Sequence, residues 1–387
     1  MVKPGLTVLQ VIPELNAGGA ERTTLEIVEA LVKNGDRAIV VSEGGRLVPE
    51  LERLGGKHIE MPVRSKSLLT LLKNRARLIE LIDEEDVDIV HARSRAPAWS
   101  ALWACRATLT PFVTTYHGAY SGTSAPKTLF NSVMARGDRV IANSGYIADH
   151  IRNRHGVSEP RMATIPRGAD LRIFDPAKID SETVQALRKE LAGDRQYLFT
   201  LPGRLTEWKG QMVLLDALAM LSAEERAKIA VALVGDAQGR TGYVDTLKAR
   251  IRSAELDDVV RMPGHYSDMP TLYAASDLVL APSVRPEAFG RVAVEASAMG
   301  KPVLASDHGG QRETVRHEET GWLTPPGDAL ALAEAMRTFL ALSDEQKAEM
   351  GAAAQGFARE HFTTERLQRE TLDVYRRVLT PLHKEKS

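Results

Sequence analysis

A single cysteine, Cys105, in 387 residues excludes an intramolecular disulfide and any cysteine-rich metal site. It fits a reducing compartment, and its plainest reading is a small buried apolar residue. Excess charge of one sign is missing too. The 50 Lys+Arg against 51 Asp+Glu leave a net charge of −1, which removes any global electrostatic case for nucleic acid. No apolar run reaches the roughly 18 residues of a membrane span. The first residues enter the strand-like TVLQVIP without the charged-then-apolar pattern of a signal peptide, so a cytoplasmic protein is expected. Repeats and low-complexity segments are lacking as well. What is present is an ordinary composition, 43% hydrophobic and 26% charged, on a length that favours two domains.

The most informative stretch is RPEAFGRVAVEASAMGKPVLA, residues 285–305, with Glu287 and Glu295 eight positions apart. Pro282 and Pro286 keep Glu287 in a loop. A helix starts at Arg291 and stops at Gly300, with Pro302 just beyond. Its residues are apolar on nearly every side, which predicts burial. Glu295 then becomes a carboxylate in a buried element, costly unless something hydrogen-bonds to it. The start of the helix offers free N–H groups and a positive dipole end to an anion. An anion beside a hydroxyl-bearing group describes a nucleotide sugar, with its diphosphate and ribose.

Short apolar runs alternate with amphipathic segments through the first half. Strands are expected at 6–12, 38–42, 58–61, 88–91, 112–115, 139–142 and 162–165, with helices such as 20–33, 67–83, 126–135 and 146–155 between them. The pattern breaks after Asp170, in the polar LRIFDPAKIDSETVQALRKELAGD, and restarts with strands at 197–202, 229–234, 259–262, 278–281, 302–305 and 321–323. Such alternation implies βαβ units and parallel sheets. The expected fold is α/β with two doubly wound units in tandem, their ligands outside the carboxyl ends of the strands. Residues 328–342, 343–361 and 363–379 are helical, and the last helix is expected to cross back onto the first domain. The division is 1–175, 176–362 and a C-terminal helix 363–387.

Several loops at strand ends carry candidate chemistry. Gly18 and Gly19 in PELNAGGAE permit positive φ and open a helix, an anion pocket or simply a tight turn. Arg204 and Lys209 in LPGRLTEWKG follow a strand end and suit a diphosphate, Arg by its planar fork and Lys as a mobile point charge. Gly264 and His265 can present backbone groups to a nucleobase, although a loop capped by Asp268 explains them as well. His117 ends another strand, where it can position an acceptor hydroxyl or be purely structural. The role of Asp307, His308, Gly309, Gly310 and Glu313 stays open.

In order, GGAER at 18–22, GRLTEWKG at 203–210, VGD at 234–236, PGHYSDMPTLY at 263–273 and the E-x7-E of 287–295 resemble the retaining GT-B glycosyltransferases of glycosyltransferase family 4. The resemblance covers almost the whole chain. It implies two Rossmann-like domains facing across a cleft, the first for the acceptor and the second for the nucleotide sugar. It also implies roles. Arg204 and Lys209 bind the donor diphosphate and stabilise its charge as it leaves. Glu287 contacts the donor sugar. Phe289, Gly290 and Arg291 offer backbone N–H groups, and Glu295 accepts from ribose hydroxyls. Gly18 and Gly19 approach the diphosphate, His117 faces the transferred sugar and acceptor, and Gly264 and His265 flank the base.

No metal or other cofactor is expected, because fixed cations and backbone dipoles can stabilise the leaving diphosphate. The donor is a UDP-, GDP- or ADP-sugar, and the acceptor a glycan or lipid-linked saccharide such as lipopolysaccharide core. Residues 1–170 carry net +3 and the remainder net −4. The basic, amphipathic VRSKSLLTLLKNRARLIELI can lie on an anionic membrane surface, on the inner face of the cytoplasmic membrane, or cover a sheet. The competing functions are a nucleotide-sugar epimerase or phosphorylase and a non-catalytic sugar-nucleotide-binding protein.

Overall fold

A computed structural model describes residues 5–16, 18–120, 122, 124–239 and 241–380. The chain forms two compact units, one of residues 1–167 with 365–387 and one of residues 168–364. The first carries β1 (Thr7–Val11), β2 (Arg37–Ser42), β3 (Lys57–Glu60), β4 (Ile89–Ala92), β5 (Phe112–Tyr116), β6 (Arg139–Ala142) and β7 (Met162–Thr164). They form one sheet in the order β3-β2-β1-β4-β5-β6-β7, every pair parallel. The second unit holds β8 (Tyr197–Pro202), β9 (Ile229–Val234), β10 (Val260–Gly264), β11 (Leu278–Ala281), β12 (Val303–Ser306) and β13 (Gly321–Thr324). Its parallel order is β10-β9-β8-β11-β12-β13.

Every strand expected from the alternation is present; the inner strands are buried on both faces and read as unbroken apolar runs, while the edge strands β3, β7 and β10 are partly exposed. β8 and β9 are buried along their full length. Each sheet reverses its strand order once, between β1 and β4 and between β8 and β11. Loops leaving those strands flank the crevice where doubly wound folds take ligands. In the second unit Phe339 is fully buried and meets Tyr197, Phe199 and Trp322 edge-on, with ring centres 5.3–6.3 Å apart. Cys105 is buried, and burial pushes its thiol pKa up.

The division falls at Arg167–Gly168, ahead of the expected join at 175–176. The reason is local: Ala169 N donates to Phe362 O at 2.9 Å and Thr364 N to Ala169 O at 3.1 Å, which ties the chain into the second unit at once. The helix Thr364–Leu379 is counted almost wholly with the first unit. Its Tyr375 is fully buried, with its hydroxyl 2.7 Å from His91 Nδ1. Gln368 donates to the Glu26 carbonyl at 2.8 Å.

Candidate active site

In the second unit the loop leaving β8 makes one 3-10 turn, Glu207–Lys209, before the helix Gln211–Ala219. Gly210 joins them with φ 78°, and a Cβ there would overlap the Pro282 carbonyl beyond β11. Only glycine allows both that backbone conformation and that approach. The β8 and β11 loops are thereby pressed together, with Val284 N donating to Trp208 O at 2.8 Å. Lys209 Nζ consequently lies 2.7 Å from Glu287 Oε1, both side chains only 13% exposed. Ser283 Oγ donates to the same oxygen at 2.5 Å.

The loop after β12 holds Glu287 from behind. Gly310 N donates to Glu287 O at 2.8 Å, and His308 Nε2 donates to Ser283 O at 2.7 Å. A Cβ on Gly310 would collide with the Phe289 backbone. The DHGG segment therefore fixes the backbone that carries Glu287.

Gly290, at φ 107°, turns the chain into the helix Arg291–Ala298. Glu295 is 7% exposed, as its apolar neighbours predict, and it is paired. Arg291 donates to Oε1 from Nη2 at 2.6 Å and from Nε at 3.1 Å, and Tyr273 donates its hydroxyl to Oε2 at 3.1 Å. Burial, and then the Glu295 carboxylate, hold the Tyr273 pKa well above its usual value, so the phenol stays a donor. Phe289 is buried against Phe362, ring centres 5.6 Å apart, so a ligand can use its backbone rather than its ring. Asp268 caps the helix Met269–Ala275 through Thr271 N, and that helix delivers Tyr273. Gly264 ends β10 and accepts from Gly235 N at 2.8 Å, while His265 is exposed. Arg204 is exposed, and its carbonyl accepts from Gln211 Nε2 at 2.9 Å.

The first unit holds Gly18, Gly19 and His117. Gly18 precedes the helix Gly19–Lys33, and a Cβ on it would strike the Glu21 carboxylate. Burial raises the Glu21 pKa, which Arg167 partly offsets. Arg167 Nη2 donates to His117 Nδ1 at 2.7 Å. The ring is therefore neutral with its proton on Nε2, a buried atom with no partner among the described residues. Burial, then the Arg167 and Arg93 cations, push its pKa well below 6.5. Arg93 follows β4 and is 2% exposed; it donates to Gln10 Oε1 from Nε at 2.9 Å and from Nη2 at 2.5 Å. Asn143, just past β6, is buried with both amide atoms unpartnered among the described residues. His117, Arg93, Asn143 and Arg167 line one small cavity.

This neutral histidine gives a pH prediction. The folded state resists a proton that the unfolded chain accepts near pH 6.5, so below that value the unfolded state binds more protons. Stability is full above about pH 6.5 and falls as the pH drops. Burial, then Arg93 and His117, lower the His91 pKa in the same direction. Thermal melts across this range should fall less steeply for His117→Gln than for the wild type. Equal slopes would show that His117 does not set the dependence.

Two family models cover the chain in tandem: Glycosyltransferase Family 4 over residues 17–173 and glycosyl transferases group 1 over 184–357. A solved glycosyltransferase from Rickettsia africae is 34% identical, with a TM-score of 0.89 over 99% of this chain and 100% of that one. The chain belongs to glycosyltransferase family 4. Its fold is GT-B. HepE from Anabaena, solved with UDP, is 27% identical with a TM-score of 0.85 over 96% of this chain and 100% of HepE. The D-inositol 3-phosphate glycosyltransferase of Salinispora tropica is 33% identical over 63% of this chain. The chain spans 52% of that relative's length, and 59% of a second relative of the same name from Kineococcus radiotolerans.

In this family 4 member the structure joins Lys209 directly to Glu287 and strings Phe289, Gly290, Arg291 and Glu295 along one helix entry. Arg204 follows β8, next to β11 in the sheet, whereas Gly264 and His265 lie at the end of the edge strand β10; no hydrogen bond links the three to Glu287 among those described. Sequence reasoning missed Ser283, Tyr273, Glu21, Arg93 and Asn143. Ser283, Arg93 and Asn143 each lie within two residues of a strand end, a signal that could have flagged them. Tyr273 carries no such signal, and the Arg291 side chain was passed over for its backbone.

Proposed function

We propose that this chain transfers a hexosyl unit, with retention of anomeric configuration, from a nucleoside-diphosphate sugar to a saccharide or lipid-linked acceptor, in lipopolysaccharide or other envelope glycan synthesis. The observation that carries this is the Lys209–Glu287 pair, a cation and a carboxylate brought together from the β8 and β11 loops in a largely buried spot beside the helix that opens at Gly290. In this reading Lys209 and Arg204 take the charge that grows on the departing diphosphate. Glu287 faces the sugar, and Glu295 anchors the ribose. Fixed cations and N–H groups serve without a metal. His117 and its neighbours in the first unit serve the acceptor. The buried Arg93 with Arg167 suits a phosphorylated acceptor, in keeping with relatives named for inositol 3-phosphate. UDP is the favoured nucleotide because HepE is solved with UDP and with UDP-glucose.

Thermal shift with UDP, GDP and ADP tests the donor. UDP is expected to raise the melting temperature most, since a ligand that binds only the folded state stabilises it. Failure of all three, with no UDP released from UDP-glucose, would leave a non-catalytic protein. Interconversion of donor sugars with no acceptor present would identify an epimerase instead.

A further inference from the structure

The first turn of the helix Leu68–Glu84 exposes two leucines to solvent, Leu68 at 63% and Leu69 at 73%, with Leu72 also exposed one turn on. Leu129, on the helix Ala125–Asn131, is 58% exposed. Contacts join these positions into one face. Lys66, just ahead of Leu68, sits over the Phe130 ring, 5.9 Å from its centre. Trp99 Nε1 donates to the Phe130 carbonyl at 3.2 Å, and Ser100, one residue on, donates to the Leu71 carbonyl at 2.9 Å. Arg136 lies over the Trp99 ring at 5.1 Å. A cluster of exposed leucines is uncommon on a soluble surface and marks a contact site.

The charge around this face is one-sided. No Asp or Glu occurs from residue 61 to 79 or from 89 to 137. Lys66, Lys73, Lys127 and Arg136 are exposed. None of the four has a carboxylate within ion-pair distance among the described residues. Leucines on stretches of chain rich in lysine and arginine and poor in acids match the headgroup and acyl layers of an anionic bilayer. A second copy would bring like charges together, and a nucleic acid would gain nothing from the leucines.

We propose that this face of the first unit docks on an anionic lipid membrane, the leucines entering the interface and the lysines holding the headgroups. Docking goes beyond the transfer reaction and is measured without donor or acceptor, so the two readings fail separately. The experiment is co-sedimentation of the full chain with vesicles of phosphatidylcholine alone or mixed with phosphatidylglycerol. Binding is expected only to the mixed vesicles, and added salt should weaken it. Replacing Leu68→Ser and Leu69→Ser together should lower partitioning about tenfold or more without changing the melting temperature. Lys66→Glu with Lys127→Glu should do the same. Equal binding to both vesicle types, no binding to either, or unaltered binding by the leucine variant would overturn the proposal. So would a dimer in analytical ultracentrifugation that the leucine variant dissolves.

Discussion

Lys209→Ala is expected to lower kcat by about 10²–10³-fold while changing the donor KM far less, the scale seen when one preorganised partner of a developing charge is removed. In the proposed reaction the diphosphate gains negative charge as the sugar departs, so a cation aimed at it would contribute most in the transition state. The substitution also leaves the Glu287 carboxylate with Ser283 as its remaining side-chain donor in a site that is 13% exposed. Lys209→Arg is not a gentle control. The Lys209 stem lies beside the Gly203 backbone and its ammonium sits 4.5 Å from the Trp208 ring centre, so a planar fork would have to displace one of them. UDP release from UDP-glucose would be followed against donor concentration. A large rise in KM with kcat preserved would assign Lys209 to donor binding alone.

Glu295→Ala is expected to act mainly on donor KM, raising it about 10–100-fold, because the ribose contacts proposed for it would be equally strong in ground and transition states. A second effect follows from its partners. Arg291 and Tyr273 both donate to Glu295, and Tyr273 is fully buried. Removing the acceptor strands the phenol, at a cost of about 1–3 kcal/mol in stability. The melting temperature should therefore drop in the absence of any ligand, and Glu295→Gln should recover part of it by still accepting from Tyr273. If donor KM rises with no loss of stability, the carboxylate serves the ligand only. If stability falls and KM does not move, it is a structural pair.

The strands were legible because burial on both faces of a parallel sheet leaves a local signature, and the strand ends then marked where Arg204, Lys209 and His117 stand. Burial of Glu295 was legible too, from the apolar residues on either side of it. What answers that buried charge was only half legible. Arg291 lies one turn away, within reach of periodicity, whereas Tyr273 is 22 positions earlier on another helix. Pairings of that kind depend on how loops pack, as in the press of Gly210 against Pro282 that sets Lys209 beside Glu287. The DHGG segment was recognisable as a loop at a strand end. Its grip on the Glu287 backbone is tertiary and leaves no periodic trace.

The first unit is discontinuous in sequence, and this orders events during synthesis. Residues 168–364 form an unbroken unit that can finish folding as soon as it clears the ribosome. The first unit is translated earlier, yet it waits for residues 365 onward to cover its sheet and to bring Tyr375 to His91. Until then its buried His91 and Arg93 lack the phenol, and part of its apolar sheet face is open to water and to chaperones. The core of the first unit therefore stays incomplete until the last helix of the chain is released.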